Sequence, residues 1–189
     1  MSWFRKSTLE PLAVTMTGLK LGDRVLAVGV TDVKLVAALA LKAGLTGVAA
    51  AVDVDEDRVR TAASAIEREG ALVEVTRAPL GMLPYDPDSF DVAVIRDVLM
   101  TLTPEERRDC LAEVLRVLRQ GGRVIVIEAA PRAGLGALLS RRAIDKAYAD
   151  RGGAKAALQA GGFRGVRVLA ERDGMIFTEG AKRSLIART

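Results

Sequence analysis

Largely apolar runs of five or six residues recur at 24–29, 47–52, 72–76, 91–95 and 123–127, and helix-periodic stretches alternate with them. Strands that are apolar on both faces suit a parallel sheet covered on both sides, whereas a sheet with one wet face would alternate. Residues 32–43 carry Val33, Val36, Ala37, Ala40 and Leu41 on one helical face, and Gly44 ends that helix. Residues 56–69 place Val59, Ala62, Ala63 and Ile66 inward and stop at Gly70. Thr103 reads as an N-cap, Pro104 as the first helical residue and Glu106 as the capping-box partner. Leu111, Val114, Leu115 and Leu118 form the apolar face of that helix, and Gly121-Gly122 its expected end. Two more helices are expected at 135–149 and 154–160. The pattern then changes: 166–169 and 175–177 read as strands joined through Asp173-Gly174, a strong hairpin signal. The expectation is a doubly wound, Rossmann-like α/β domain over residues 23–189, with five parallel strands and a C-terminal antiparallel hairpin. Residues 1–22 are expected to pack on it as an N-terminal segment, Trp3 and Phe4 included.

Composition narrows the chemistry. The 189 residues contain no His and one Cys, Cys110. Serine or cysteine nucleophiles activated by His, Cys-cluster metal sites and an internal disulfide framework are thereby excluded, and no metal site is expected. The net charge of +4 is uneven: residues 1–130 carry −3 and residues 131–189 carry +7. The basic residues are scattered and aromatics make up only 4%, so a nucleic-acid stacking surface is not expected. The apolar run at 35–41 is bracketed by Lys34 and Lys42, far short of the ~20 residues a membrane span needs. The first residues lack the apolar core of a signal peptide, which points to the cytoplasm.

In an open parallel sheet, ligands sit beyond the carboxyl ends of the strands. After the first strand comes Gly29-Val30-Thr31-Asp32, a turn that lets a ligand approach the backbone at the start of a helix. The second strand closes at Asp53, 24 residues after Gly29, where an acid can accept hydrogen bonds from ribose hydroxyls or serve the following helix as a cap. A dinucleotide fingerprint is absent, because Thr31 and Lys34 stand where its second and third glycines belong.

The segments at 83–91, 113–123 and 160–163 resemble those of class I S-adenosylmethionine-dependent methyltransferases of the small-molecule, quinone-biosynthesis type. Residues 83–91, Leu-Pro-Tyr-Asp-Pro-Asp-Ser-Phe-Asp, resemble the family's segment before the fourth strand. Residues 113–123, Glu-Val-Leu-Arg-Val-Leu-Arg-Gln-Gly-Gly-Arg, resemble the one before the fifth, and Ala160-Gly161-Gly162-Phe163 the one before the sixth. The resemblance implies a seven-stranded fold, S-adenosylmethionine as cofactor and a small-molecule acceptor. Carried over by position, Val28, Gly29 and Thr31 line the methionine part, Asp53 binds the ribose and Val54 meets the adenine. Leu80, Gly81 and Met82 lie near the adenine ring, and Arg96 and Asp97 face cofactor and substrate. Asp97 and Asp32 are the candidate bases.

The first motif departs from the family pattern D-x-G-x-G-x-G. Ala27 replaces the acid, and Thr31 and Val33 replace the second and third glycines. Ala78-Pro79 stands where the family usually has an Asp before the adenine-side loop. Asp32 either substitutes for the lost acid or caps its helix. Two functions therefore compete: methyl transfer from S-adenosylmethionine to a small molecule, and a methyltransferase-like binding or scaffold domain that has lost the cofactor. The oligomeric state is left open, a homodimer included.

Overall fold

A computed structural model describes residues 11–130 and 146–184. Helix α1 spans Leu12–Thr17 and strand β1 Arg24–Val28, followed by α2 (Val33–Ala43), β2 (Val48–Asp53), α3 (Glu56–Arg68) and β3 (Glu74–Arg77). Strand β4 covers Phe90–Arg96, a 3-10 turn Leu99–Thr101, α4 Pro104–Val117 and β5 Leu118–Ala129. Helices α5 (Lys146–Asp150) and α6 (Gly153–Ala160) precede β6 (Arg164–Arg172) and β7 (Met175–Ala181). The sheet order is β3-β2-β1-β4-β5-β7-β6. Strands β1 to β5 pair in parallel, and β7 lies antiparallel between β5 and β6. This is the expected architecture.

Alternate residues of each strand serve opposite faces, so both sides of the sheet must be apolar. Leu26, Val28, Ala93, Ile95, Val124 and Val126 pack with Leu111 and Val114 of α4 and Leu158 of α6. Val25, Val92, Val94, Ile125 and Ile127 pack on the other side with Val14 of α1, Leu35 and Leu39 of α2, and Phe177 of β7. Ala27 and Ala51 meet Val36 and Ala40 of α2 and Ile66 of α3. No helix among the described residues is long and apolar enough to cross a membrane.

The capping reading of Thr103 holds: its hydroxyl accepts from Glu106 N–H, and the Glu106 carboxylate accepts from Thr103 N–H at 2.9 Å. At Asp173-Gly174 both residues have left-handed φ, +55° and +72°, the conformation that a two-residue type I′ hairpin turn demands. Four expected boundaries move. Helix α4 ends at Val117, not at Gly121-Gly122, because Leu118 is fully buried and already pairs with Phe90. The two glycines lie within β5, at the irregularity in its pairing with β4, and exchange backbone hydrogen bonds with Lys182. Strand β3 starts at Glu74, leaving Leu72 79% exposed. Strands β6 and β7 run longer than 166–169 and 175–177, because each extends its pairing well beyond the apolar centre. The helix expected at 135–149 falls mostly outside the described residues, as do Trp3 and Phe4, while α1 of the N-terminal segment packs on the sheet.

Candidate functional site

The strand order reverses between β1 and β4, which places a crevice over the carboxyl ends of β1, β2, β4 and β5. Gly29 takes φ +88°, and a Cβ there would lie 2.5 Å from Val98 Cγ2. The turn it makes therefore needs glycine both for its backbone angle and for the close approach of the segment after β4.

Asp53 ends β2 and is 4% exposed. Its Oδ2 accepts from Val30 N–H at 3.1 Å, which fastens the turn after β1 to the end of β2. Its Oδ1 accepts from Asp55 N–H at 3.0 Å and from Arg58 Nε and Nη2 at 3.1 and 2.6 Å. Burial alone would push this carboxyl up; the Arg58 guanidinium and the two backbone N–H groups outweigh it and hold the group below the usual carboxylate range. Asp53 is not a helix cap. Asp55 takes that place, accepting from Arg58 N–H at 2.9 Å.

Asp32 caps α2 through Leu35 N–H at 3.0 Å, and its other oxygen lies 3.0 Å from Arg96 Nη1. Arg96 Nε is also 3.7 Å from Asp97 Oδ2, so one guanidinium stands between both candidate bases. Asp97 has φ +52°, donates its N–H to Ile127 O and accepts from Ala129 N–H at 3.0 Å, tying the end of β4 to the end of β5. Thr31, Asp32, Val33, Lys34, Arg96 and Asp97 line one shallow depression. Val54, Arg77, Ala78 and Pro79 line a second. Leu80 is buried against the α4 side of the core, and a Cβ on Gly81 would sit 3.1 Å from Asp109 of α4. Gly81 and Met82 are exposed, Met82 at 69%.

Sequence reasoning passed over two residues. Glu128, at the end of β5, is buried, and its Oε1 accepts from the Tyr148 hydroxyl at 2.7 Å. Burial pushes its carboxyl above the usual range, and neighbouring Asp97 acts in the same sense; the Tyr148 hydroxyl, Ala154 N–H and Arg107 oppose them. Arg107 stacks 4.2 Å above the Tyr148 ring. An acid closing the run Val-Ile-Val-Ile at a strand end was the available signal. Arg58, in the first turn of α3, carried no signal beyond its nearness to Asp53. Cys110 is fully buried, and burial with nearby Glu113 pushes its thiol up to about 12, which makes it inert.

The motif segments meet in space. Glu113 accepts from Leu83 N–H at 2.8 Å, and Arg116 donates to Leu83 O at 3.0 Å and Tyr85 O at 2.9 Å. Segment 83–91 is thus held by α4, and it positions β4, whose far end carries Arg96.

Residues 26–126, just over half of the chain, match the family described as a methyltransferase domain. A ubiquinone/menaquinone biosynthesis C-methyltransferase UbiE of Hydrogenovibrio crunogenus is 30% identical over 118 residues, 61% of this chain and 46% of that protein. The same enzyme of Pseudomonas fluorescens is 30% identical over 118 residues, 61% and 45%. The chain therefore spans about half the length of these relatives. Among solved structures, an S-adenosylmethionine-dependent methyltransferase from Aquifex aeolicus superposes with TM-score 0.74 at 20% identity, covering 89% of this chain and 87% of that one. The [4+2]-cyclase SpnF superposes with TM-score 0.69 at 20% identity, covering 92% and 79%.

Proposed function

The chain belongs to the methyltransferase domain family, whose cofactor is S-adenosylmethionine, and on that premise we propose that it methylates a small molecule. The buried Asp53 carboxylate, facing the Gly29 turn across the ends of β1 and β2, carries this reading. The residues fit the adenosine half of the cofactor. Asp53 accepts from the ribose hydroxyls, and Val54, Ala78 and Pro79 flank the adenine. At the methionine half, Thr31, next to the Gly29 turn, and Arg96, at the end of β4, line the depression.

S-adenosylmethionine supplies a methyl group on a sulfonium, open to in-line displacement by a nucleophile. Such a reaction asks the protein mainly for proximity and orientation, so the absence of His is no obstacle. Where the acceptor must lose a proton, Asp97 and Asp32 line the same depression, and Arg96 holds both in position. The quinone-related names of the relatives favour a small cyclic acceptor over a macromolecule.

Calorimetric titration with S-adenosylmethionine and S-adenosylhomocysteine tests the reading. Asp53→Ala is expected to weaken binding by ~1–3 kcal/mol, since two ribose donors lose their acceptor. No binding of either ligand to folded wild-type protein or its Arg58 variants overturns the reading and leaves a methyltransferase-like binding domain.

A further inference from the structure

We infer that Arg58 sets the affinity of this cleft by occupying the Asp53 carboxylate in competition with the ribose diol. The inference rests on the reading of Asp53 as the ribose acceptor. A carboxylate offers about four acceptor directions. Three donors of the chain crowd Oδ1, Asp55 N–H with Arg58 Nε and Nη2, while Oδ2 takes only Val30 N–H, so it is Oδ1 that is closed to a ligand. The two backbone donors are fixed, one in the Gly29 turn and one at the start of α3. Arg58 is different. Its side chain is 45% exposed while that of Asp53 is 6% exposed, and it reaches the carboxylate from the solvent side.

Both Arg58 N–H donors fall on Oδ1, so a ribose diol that bonds both carboxylate oxygens must displace the guanidinium from Oδ1, and the two compete there. A route for exchange is built in. Arg58 Nη1 already lies 3.4 Å from Asp55 Oδ2, so the guanidinium can leave Asp53 and keep a carboxylate partner. The ligand-competent state is then the minority with Arg58 swung away, and apparent affinity falls in proportion to that minority. If the swung state holds roughly a tenth of the population, affinity is lowered roughly tenfold. This mechanism is separate from the Thr31 and Val33 substitutions, which act at the methionine half.

The test is calorimetric titration of wild type, Arg58→Ala, Arg58→Gln and Asp53→Ala with S-adenosylhomocysteine, with thermal unfolding to verify each fold. Arg58→Ala and Arg58→Gln are expected to bind roughly tenfold tighter than wild type. Their ligand-free midpoints should be lower and their ligand-induced rises larger. Binding by the two Arg58 variants with none by wild type supports the inference equally. If wild type binds, Asp53→Ala loses binding and neither Arg58 variant gains, the inference is overturned while the methyltransferase reading stands. If no variant binds, both fall.

Discussion

At the scale of single residues, two buried carboxyls at the strand ends are tuned in opposite directions. Asp53 titrates lower in the folded chain than in the unfolded one, so its ionised form adds stability above the ordinary carboxylate range, and this is lost as pH falls through the folded value. Arg58→Gln removes the main lowering partner, so its midpoint should converge on that of wild type as pH drops to acid. Glu128 is raised by burial, so the opposite sign applies. Its favourable contribution is complete below the unfolded carboxyl range and is lost as pH rises through the folded value. Glu128→Gln keeps an acceptor for the Tyr148 hydroxyl and avoids burying charge. The midpoint difference between variant and wild type should therefore move in favour of the variant from pH 4 to pH 8; a flat difference would show that the fold does not shift Glu128, and a reversed one that it is stabilised as an anion. Asp53 was legible in the sequence because a strand end and a fixed distance from a glycine turn are one-dimensional features. Arg58 and Tyr148, which decide what these acids do, were not, since side-chain reach and direction have no sequence pattern.

At the scale of elements, the link between α4 and the segment before β4 holds the site's framework. Arg116 ties Leu83 O and Tyr85 O to α4 and pairs with Glu113 at 2.7 Å. Lys182 of the segment after β7 closes the other side, donating to Asp88 Oδ1 at 2.9 Å and to Leu118 O at 2.7 Å. Arg116→Ala is expected to cost about 1–2 kcal/mol, discounted because the side chain is 34% exposed. Hydrogen exchange should rise at residues 83–89 and not in β1 or β2; uniform exchange would mean that the segment is held elsewhere. The misplaced end of α4 teaches the same lesson. Gly121-Gly122 has the composition of a helix stop, but burial of Leu118 and its pairing with Phe90 end the helix three residues earlier. A Cβ at Gly122 would lie 2.8 Å from Arg119 O, so glycine serves the crowded strand entry there.

At the scale of the whole molecule, β7 is locked between two neighbouring strands. Phe177 of β7 is fully buried beside Ile125 and Ile127, and β7 pairs with both β5 and β6. Phe177→Ala is expected to cost about 3–5 kcal/mol and to lower a single cooperative transition, as judged by chemical denaturation. A separate early transition would instead mark the hairpin as an independent unit. The sequence by itself determined the order of the strands and of helices α2, α3, α4 and α6, the two-sided burial of the sheet, the Thr103 cap and the Asp173-Gly174 turn. Each depends on periodicity or on backbone angles within a few residues. Only the tertiary structure decided that β7 inserts between β5 and β6, that the paired glycines belong to a strand, and that Arg58 and Tyr148 occupy the two buried acids. Those outcomes depend on which distant surfaces exclude water together and which charged group lies within reach of a buried acceptor, and neither is written in local spacing.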